Sequence, residues 1–342
     1  MSAADFLLEH AGPSIRLRVK RDILGGISPE ETAALQNEIR DEPIYRLIAA
    51  CQKENGWLGN GFHGPNKNAG PYENQECGVK YLAEKAVGRD DPVLVRAMDA
   101  FVTVPLDDLC YRTKGKFYDE FKYAANGQNL IRCACIARAG FADSIDIAPQ
   151  IQLALDSFRR VTEVDSILDV SRTVKSSKYR LFTNFEKWPC RYHFDILAHT
   201  DAWKSDENIA MLAESFRRLM RTDRPDLIGV GANSWVGHSL GTLGCYAEGF
   251  SLTSERGLNL ELTEWMCRCG LYGHLPALTD AVDALAESID GDGICRADID
   301  ENALRGISTY GGQQLEIDWK SETRRLADIT FRAALILRLA TR

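Results

Sequence analysis

The chain has 342 residues, of which 45% are hydrophobic, 26% charged and 9% aromatic, a globular composition that excludes a disordered tail or a disulfide-dependent miniprotein. Lysine and arginine total 41 against 49 aspartates and glutamates, a formal charge of -8. So acidic a chain lacks the basic footprint on which nucleic-acid binding rests.

From Met1 to Lys20 there is no basic leader region, and Asp5, Glu9, His10 and Arg16 break the apolar stretches, so no secretion signal is expected. No run approaches the roughly 20 apolar residues that span a bilayer, and a cytoplasmic protein without a membrane span is expected. The ten cysteines lack CxxC spacing and read as free thiols in that compartment.

Helical periodicity recurs along the whole chain, and strand-like alternation is nearly absent. After SIRLRVKRDILG, the segment VKYLAEKAVG places Val79, Leu82, Ala83, Ala86 and Val87 on one helical face. Gly88 is expected to stop that helix, and Asp91-Pro92 to restart a second. The pattern returns in LIRCACIARAG with Ile151 to Val161, in FDILAHTDAW with Ile209 to Met220 behind Ser205 and Asp206 as caps, and in LTEWMCRCGLYG with Leu278 to Leu285. With ITFRAALILRL the first helices begin near positions 14, 79, 130, 194, 262 and 329, at intervals of 65, 51, 64, 68 and 67. Such an interval marks an array of helical hairpins. First helices that are apolar almost all round and second helices that are amphipathic imply an inner and an outer layer. The expectation is one all-α domain over residues 1–342, an α/α toroid of five or six hairpins, in which the helix near Asp5 to His10 partners the last one. An open α-solenoid is the competing architecture.

LIAACQKENGW, Leu47 to Trp57, resembles the Gln-Trp signature of the terpenoid cyclase and protein prenyltransferase toroids, with Gln52, Gly56 and Trp57 in the signature roles and one residue fewer between glycine and tryptophan. The resemblance implies a toroid with a central cavity. It transfers no catalytic residue, because the DxDD and DDxxD elements of those enzymes are missing from the sequence.

In a toroid the loops that enter the inner helices ring the cavity. The loop Gly56 to Gly78 supplies Trp57, His63, Tyr72, Asn74, Glu76 and Cys77, against the alternative of a surface excursion with satisfied turns. The segment Glu186 to Trp203 supplies Trp188, His193 and a helical stripe of Tyr192, Asp195 and His199, where an aspartate beside a histidine suits proton transfer. The alternative there is a capping aspartate and a satisfied histidine. The segment Gly229 to Phe250 supplies Trp235 and His238, but close helix packing explains its glycines equally well, and no nucleotide motif is present. Cys267 and Cys269 point apart on a helix and do not suit a shared zinc. The acidic stretch Ser288 to Asn302 reads as a solvated loop rather than a calcium loop.

The leading expectation is a lyase or isomerase resembling the isoprenoid-processing toroids. Asp195, His199, Tyr192, His193 and Glu76 would be its acid/base residues, acting on a small hydrophobic substrate in an apolar, aromatic cavity with no metal and no cofactor. Trp57, His63, Tyr72, Asn74, Cys77, Trp188, Trp235 and His238 would bind substrate. The sequence is compatible with a homo-oligomer. Two alternatives remain: a carbohydrate-active toroid lyase, hydrolase or epimerase, which the asparagine-rich loop suits better, and a non-catalytic helical-repeat binding module.

Overall fold

The computed structural model describes residues 1–63, 70, 72–105, 125–164, 171–173, 180–182, 189–220, 252–309 and 311–341. Trp188, Trp235 and His238 lie outside them. The described residues are mostly helical. In chain order the helices are α1 (Ala3–His10), α2 (Pro13–Arg18, running on into a π turn Val19–Ile23), α3 (Pro29–Arg40), α4 (Pro43–Ala50), α5 (Gln75–Glu84), α6 (Pro92–Thr103) and α7 (Ala125–Arg138). There follow α8 (Ala148–Thr162), α9 (Arg191–Ala198), α10 (Asp206–Leu219), α11 (Leu260–Arg268), α12 (Pro276–Glu287), α13 (Glu301–Leu304) and α14 (Glu322–Ala340). Two small antiparallel pairs complete the described elements: β1 (Ser171–Thr173) with β2 (Arg180–Phe182), and β3 (Thr253–Ser254) with β4 (Gly257–Leu258). Among the described residues no helix is long and apolar enough to cross a membrane.

Local chemistry explains the boundaries. Ser28 and Glu31 form a reciprocal capping box on α3, Ser205 caps α10, and Asp91 caps α6 ahead of Pro92. The end of α5 differs from the expectation at Gly88. The helix stops at Glu84, and the chain turns at Ala86 with φ 56°. The Gln36 side chain holds that turn: its amide donates to the Ala86 carbonyl at 2.6 Å, and its carbonyl oxygen accepts from the Gly88 N–H at 3.0 Å.

Helix α5 packs beside α7, α7 beside α9, α9 beside α11, α11 beside α14, and α14 beside α2 and its π turn. The Arg18 guanidinium on α2 donates to Glu84 on α5, at 3.2 Å to its carbonyl oxygen and 3.3 Å to its carboxylate. Helix α1 also packs on α14. The amphipathic helices cover this row. Phe158 of α8 and Phe216 of α10 close on Phe194 of α9, with ring centres 4.9 to 6.2 Å apart. Each such aromatic pair adds about 1 kcal/mol beyond the area it buries.

The Gln-Trp-like motif is a structural staple. Gln52 donates to the carbonyls of Gly56 and Val93, at 3.0 and 2.9 Å, tying the end of α4 to the start of α6. Gly56 sits at φ 84°, and a Cβ there would collide with the Arg96 carbonyl. Trp57 packs between Phe62 and Phe101 and donates to the Gly61 carbonyl at 3.2 Å.

Candidate active site

Charged residues on buried helices build the site. Glu76, Lys80 and Glu84 recur every four residues on α5, so they share one face, and all three are buried. Helix α9 contributes Arg191, Tyr192 and Asp195 with His199 at its end, and α11 contributes Glu261, Glu264, Trp265 and Arg268. Arg138 on α7, Arg332 on α14 and Arg18 on α2 meet these stripes through the contacts below. Charges this deep persist only when paired and hydrogen-bonded.

At the amino ends of α5 and α9, Glu76 lies between a phenol and an imidazole. The Tyr192 hydroxyl donates to its Oε1 at 2.6 Å, and His63 Nδ1 lies 2.5 Å from its Oε2. Tyr192 and His63 also approach each other at 3.2 Å. Burial, then the Glu76 charge, pushes the Tyr192 phenol well above its ordinary value, so it stays protonated and acts as donor. A carboxylate facing Nδ1 selects the tautomer with its proton on Nδ1, which leaves the basic lone pair of a neutral ring on Nε2.

One turn further along α5, the Lys80 ammonium is 3.7 Å from Glu261, and Arg191 contacts the other oxygen of the same carboxylate at 2.5 Å. The Arg191 and Arg138 guanidiniums both lie over the Trp265 ring, 4.6 and 5.0 Å from its centre. Burial, together with Arg138 and Arg191, depresses Lys80 despite the pull of Glu261.

Toward the carboxyl ends of α5, α7 and α9 the charges form a connected network. Arg138 bridges Glu84 at 2.7 Å and Asp195 at 2.8 Å, and Arg332 bridges Glu84 and Glu264, each at 2.8 Å. Glu264 also takes Arg268 at 2.8 Å. Guanidiniums near helix carboxyl ends are favourable against the helix dipole. Burial opposes ionisation of Asp195, but Arg138 and His199 outweigh it and hold the carboxyl well below its usual range. A cavity of about 230 Å³ opens here beside Arg18, Asp22, Glu84, Arg138, His199 and Glu264. Its wall is charged, where the sequence led to the expectation of an apolar, aromatic one.

Compared with known proteins, the chain matches no family model, no curated protein and no solved structure. The site therefore rests on its own geometry.

That geometry separates the residues singled out in the sequence. It brings His63, Glu76 and Tyr192 together. Asp195 and His199 lie apart from them, in the arginine network: His199 Nδ1 donates to the Asp195 carbonyl at 2.8 Å and lies 2.9 Å from its Oδ1. Asp195 is thus held ionised against Arg138, away from the Glu76 carboxylate. His193 accepts from the Cys190 N–H at 3.0 Å and is driven by burial to about 3, so it is a neutral cap. Trp57 belongs to the core, and Asn74 caps α5 by accepting from the Cys77 N–H at 2.8 Å. Cys77 is buried with its thiol pushed up to about 12, and half-buried Tyr72 packs edge-on against Tyr81. All four therefore make packing or capping contacts within the fold. Among the described residues no cluster of histidine, cysteine, aspartate or glutamate is arranged to hold a metal. Sequence reasoning missed Lys80, Glu84, Arg138, Arg191, Glu261, Glu264 and Arg332, although charges in an otherwise apolar helix such as VKYLAEKAV were a visible signal.

Proposed function

We propose that the chain is an α/α toroid enzyme that moves protons on a polar, hydroxylated small molecule, within the lyase or isomerase class. The toroid reading is supported by the neighbour order α5, α7, α9, α11, α14, α2 and by the return of Arg18 to Glu84. One observation carries the catalytic reading: a buried carboxylate, Glu76, shared by a protonated phenol and an imidazole. In this reading His63 takes a substrate proton at Nε2 and Glu76 steadies the imidazolium, while the Tyr192 hydroxyl, donating to Glu76, holds that carboxylate in place. A carboxylate that orients an imidazole while binding a phenol suits proton abstraction followed by elimination or epimerisation.

The charged faces around Lys80, Glu84 and Glu261 favour a sugar-like or acidic substrate over an isoprenoid, because a hydrocarbon would leave these groups desolvated and uncompensated. Thermal stability against sugars and uronates in one panel, and isoprenoid alcohols and diphosphates in the other, tests the class. A ligand at about 100 times its Kd adds roughly 2.7 kcal/mol. Stabilisation by the polar panel alone is expected; stabilisation by the isoprenoids alone would contradict the reading.

A further inference from the structure

The cluster around Glu261 carries more positive charge than its own residues balance. Lys80 and Arg191 share the single Glu261 carboxylate, at 3.7 and 2.5 Å, while the nearby Arg138 is already paired with Glu84 and Asp195. Counted on Lys80, Arg191 and Glu261 alone, one buried positive charge is left over. The hydrogen bonding is incomplete as well. Among the described residues the buried atoms Arg191 Nη2, Glu261 Oε1 and Trp265 Nε1 have no hydrogen-bond partner, although Arg191 Nη2 is ion-paired with the other Glu261 oxygen at 2.5 Å. Native proteins rarely leave such atoms unsatisfied, and each one costs about 1–3 kcal/mol. Two donors and one acceptor around a surplus cation describe a place for an anion that also carries a hydroxyl.

Position agrees with this. Arg191 is the first residue of α9 and Glu261 the second of α11, so the positive ends of two helix dipoles lie at the cluster. Lys80 is one turn below Glu76, which puts the cluster next to the proton-transfer trio. The Arg191 side chain keeps 21% exposure, against 6% for Lys80, so the cluster lies nearest the surface on its side.

We propose that Lys80, Arg191 and Trp265 form a subsite for a carboxylate of the substrate, with Glu261 accepting from a hydroxyl beside it. This rests on the proton-transfer reading and narrows its substrate to hydroxy acids such as uronates. Lys80 and Arg191 neutralise the charge of a carboxylate held there, which acidifies the adjacent C–H that His63 would deprotonate.

Ligand-detected NMR on the full chain tests the subsite, with acetate, glycolate and D-glucuronate set against acetamide, ethylene glycol and D-glucose. Each carboxylate is expected to give a binding signal at least about tenfold stronger than its neutral counterpart, the effect of 1.4 kcal/mol. Lys80→Met and Arg191→Gln should abolish the difference, and Arg191→Lys should retain part of it. Arg191 is partly exposed, so its variants are expected to keep the wild-type helical circular dichroism, which separates lost binding from lost fold. Equal binding of the neutral counterparts, or undiminished carboxylate binding in both loss variants, would overturn the subsite. Inorganic phosphate competing as well as glycolate would overturn its assignment to a carboxylate. Tyr192→Phe should bind carboxylates normally while losing turnover. A fully active Tyr192→Phe that still binds them would sink the proton-transfer reading and leave the subsite standing.

Discussion

Arg332→Met is the sharpest test of the buried network. Arg332 is fully buried and holds Glu84 and Glu264 at 2.8 Å each, while one of its terminal nitrogens donates to the Gln313 carbonyl at 2.7 Å. Removing one partner of a buried ion pair costs about 3–5 kcal/mol, because the remaining charge is left uncompensated. Here the loss is shared. Glu84 keeps Arg18 and Arg138, and Glu264 keeps Arg268, so neither carboxylate is orphaned. The expected loss is therefore about 3 kcal/mol, at the lower end of that range. Urea unfolding followed by circular dichroism measures it as a lower midpoint with an unchanged slope. A loss below about 1 kcal/mol, the scale of an exposed ion pair, would refute the view that these carboxylates depend on Arg332.

Burial opposes ionisation of Glu264, but Arg332 and Arg268 outweigh it and lower the carboxyl from 4.5 to about 2. Its contribution is thus present above pH 4.5 and is lost as pH falls toward 2, so Glu264→Gln should flatten the acid limb of a stability–pH curve; an unchanged limb would contradict the pairing. Glu316 behaves oppositely, since burial, opposed by the Gly12 N–H, raises it from 4.5 to about 7. The folded state then binds the extra proton, and stability falls as pH rises from 4.5 to about 7; Glu316→Gln should remove that fall, measured by urea midpoints across the interval. Gly56→Ala places a Cβ against the Arg96 carbonyl at positive φ and should cost more than about 1 kcal/mol in the same unfolding assay.

The helices were legible because their signals are local. Apolar residues three and four apart, Asp91-Pro92 and the Ser205 cap each act within one turn of chain. The end of α5 was not legible, because the Gln36 side chain, about fifty residues away, fixes the turn at Ala86. The site divides in the same way. His63, Glu76 and Tyr192 stood out individually as titratable residues in loops or at helix starts, but their meeting depends on α5 and α9 facing one another across α7. Spacing within one helix favoured Asp195 with His199, yet it could not reveal that Arg138, from α7, claims the Asp195 carboxylate. The charges on α5, α11 and α14 were readable as misfits in buried text, and only their tertiary partners show why they are tolerated.

The central claim is proton abstraction by His63 oriented by Glu76, and hydrogen exchange measures it without knowledge of the product. Glucuronate and related hydroxy acids are incubated with the protein in D2O, and deuterium at the carbon next to the carboxylate is read by mass spectrometry. The account predicts incorporation with the wild-type chain and at least about a hundredfold less with Glu76→Gln, the usual scale for losing general acid–base catalysis. Equal incorporation by the two proteins would contradict it.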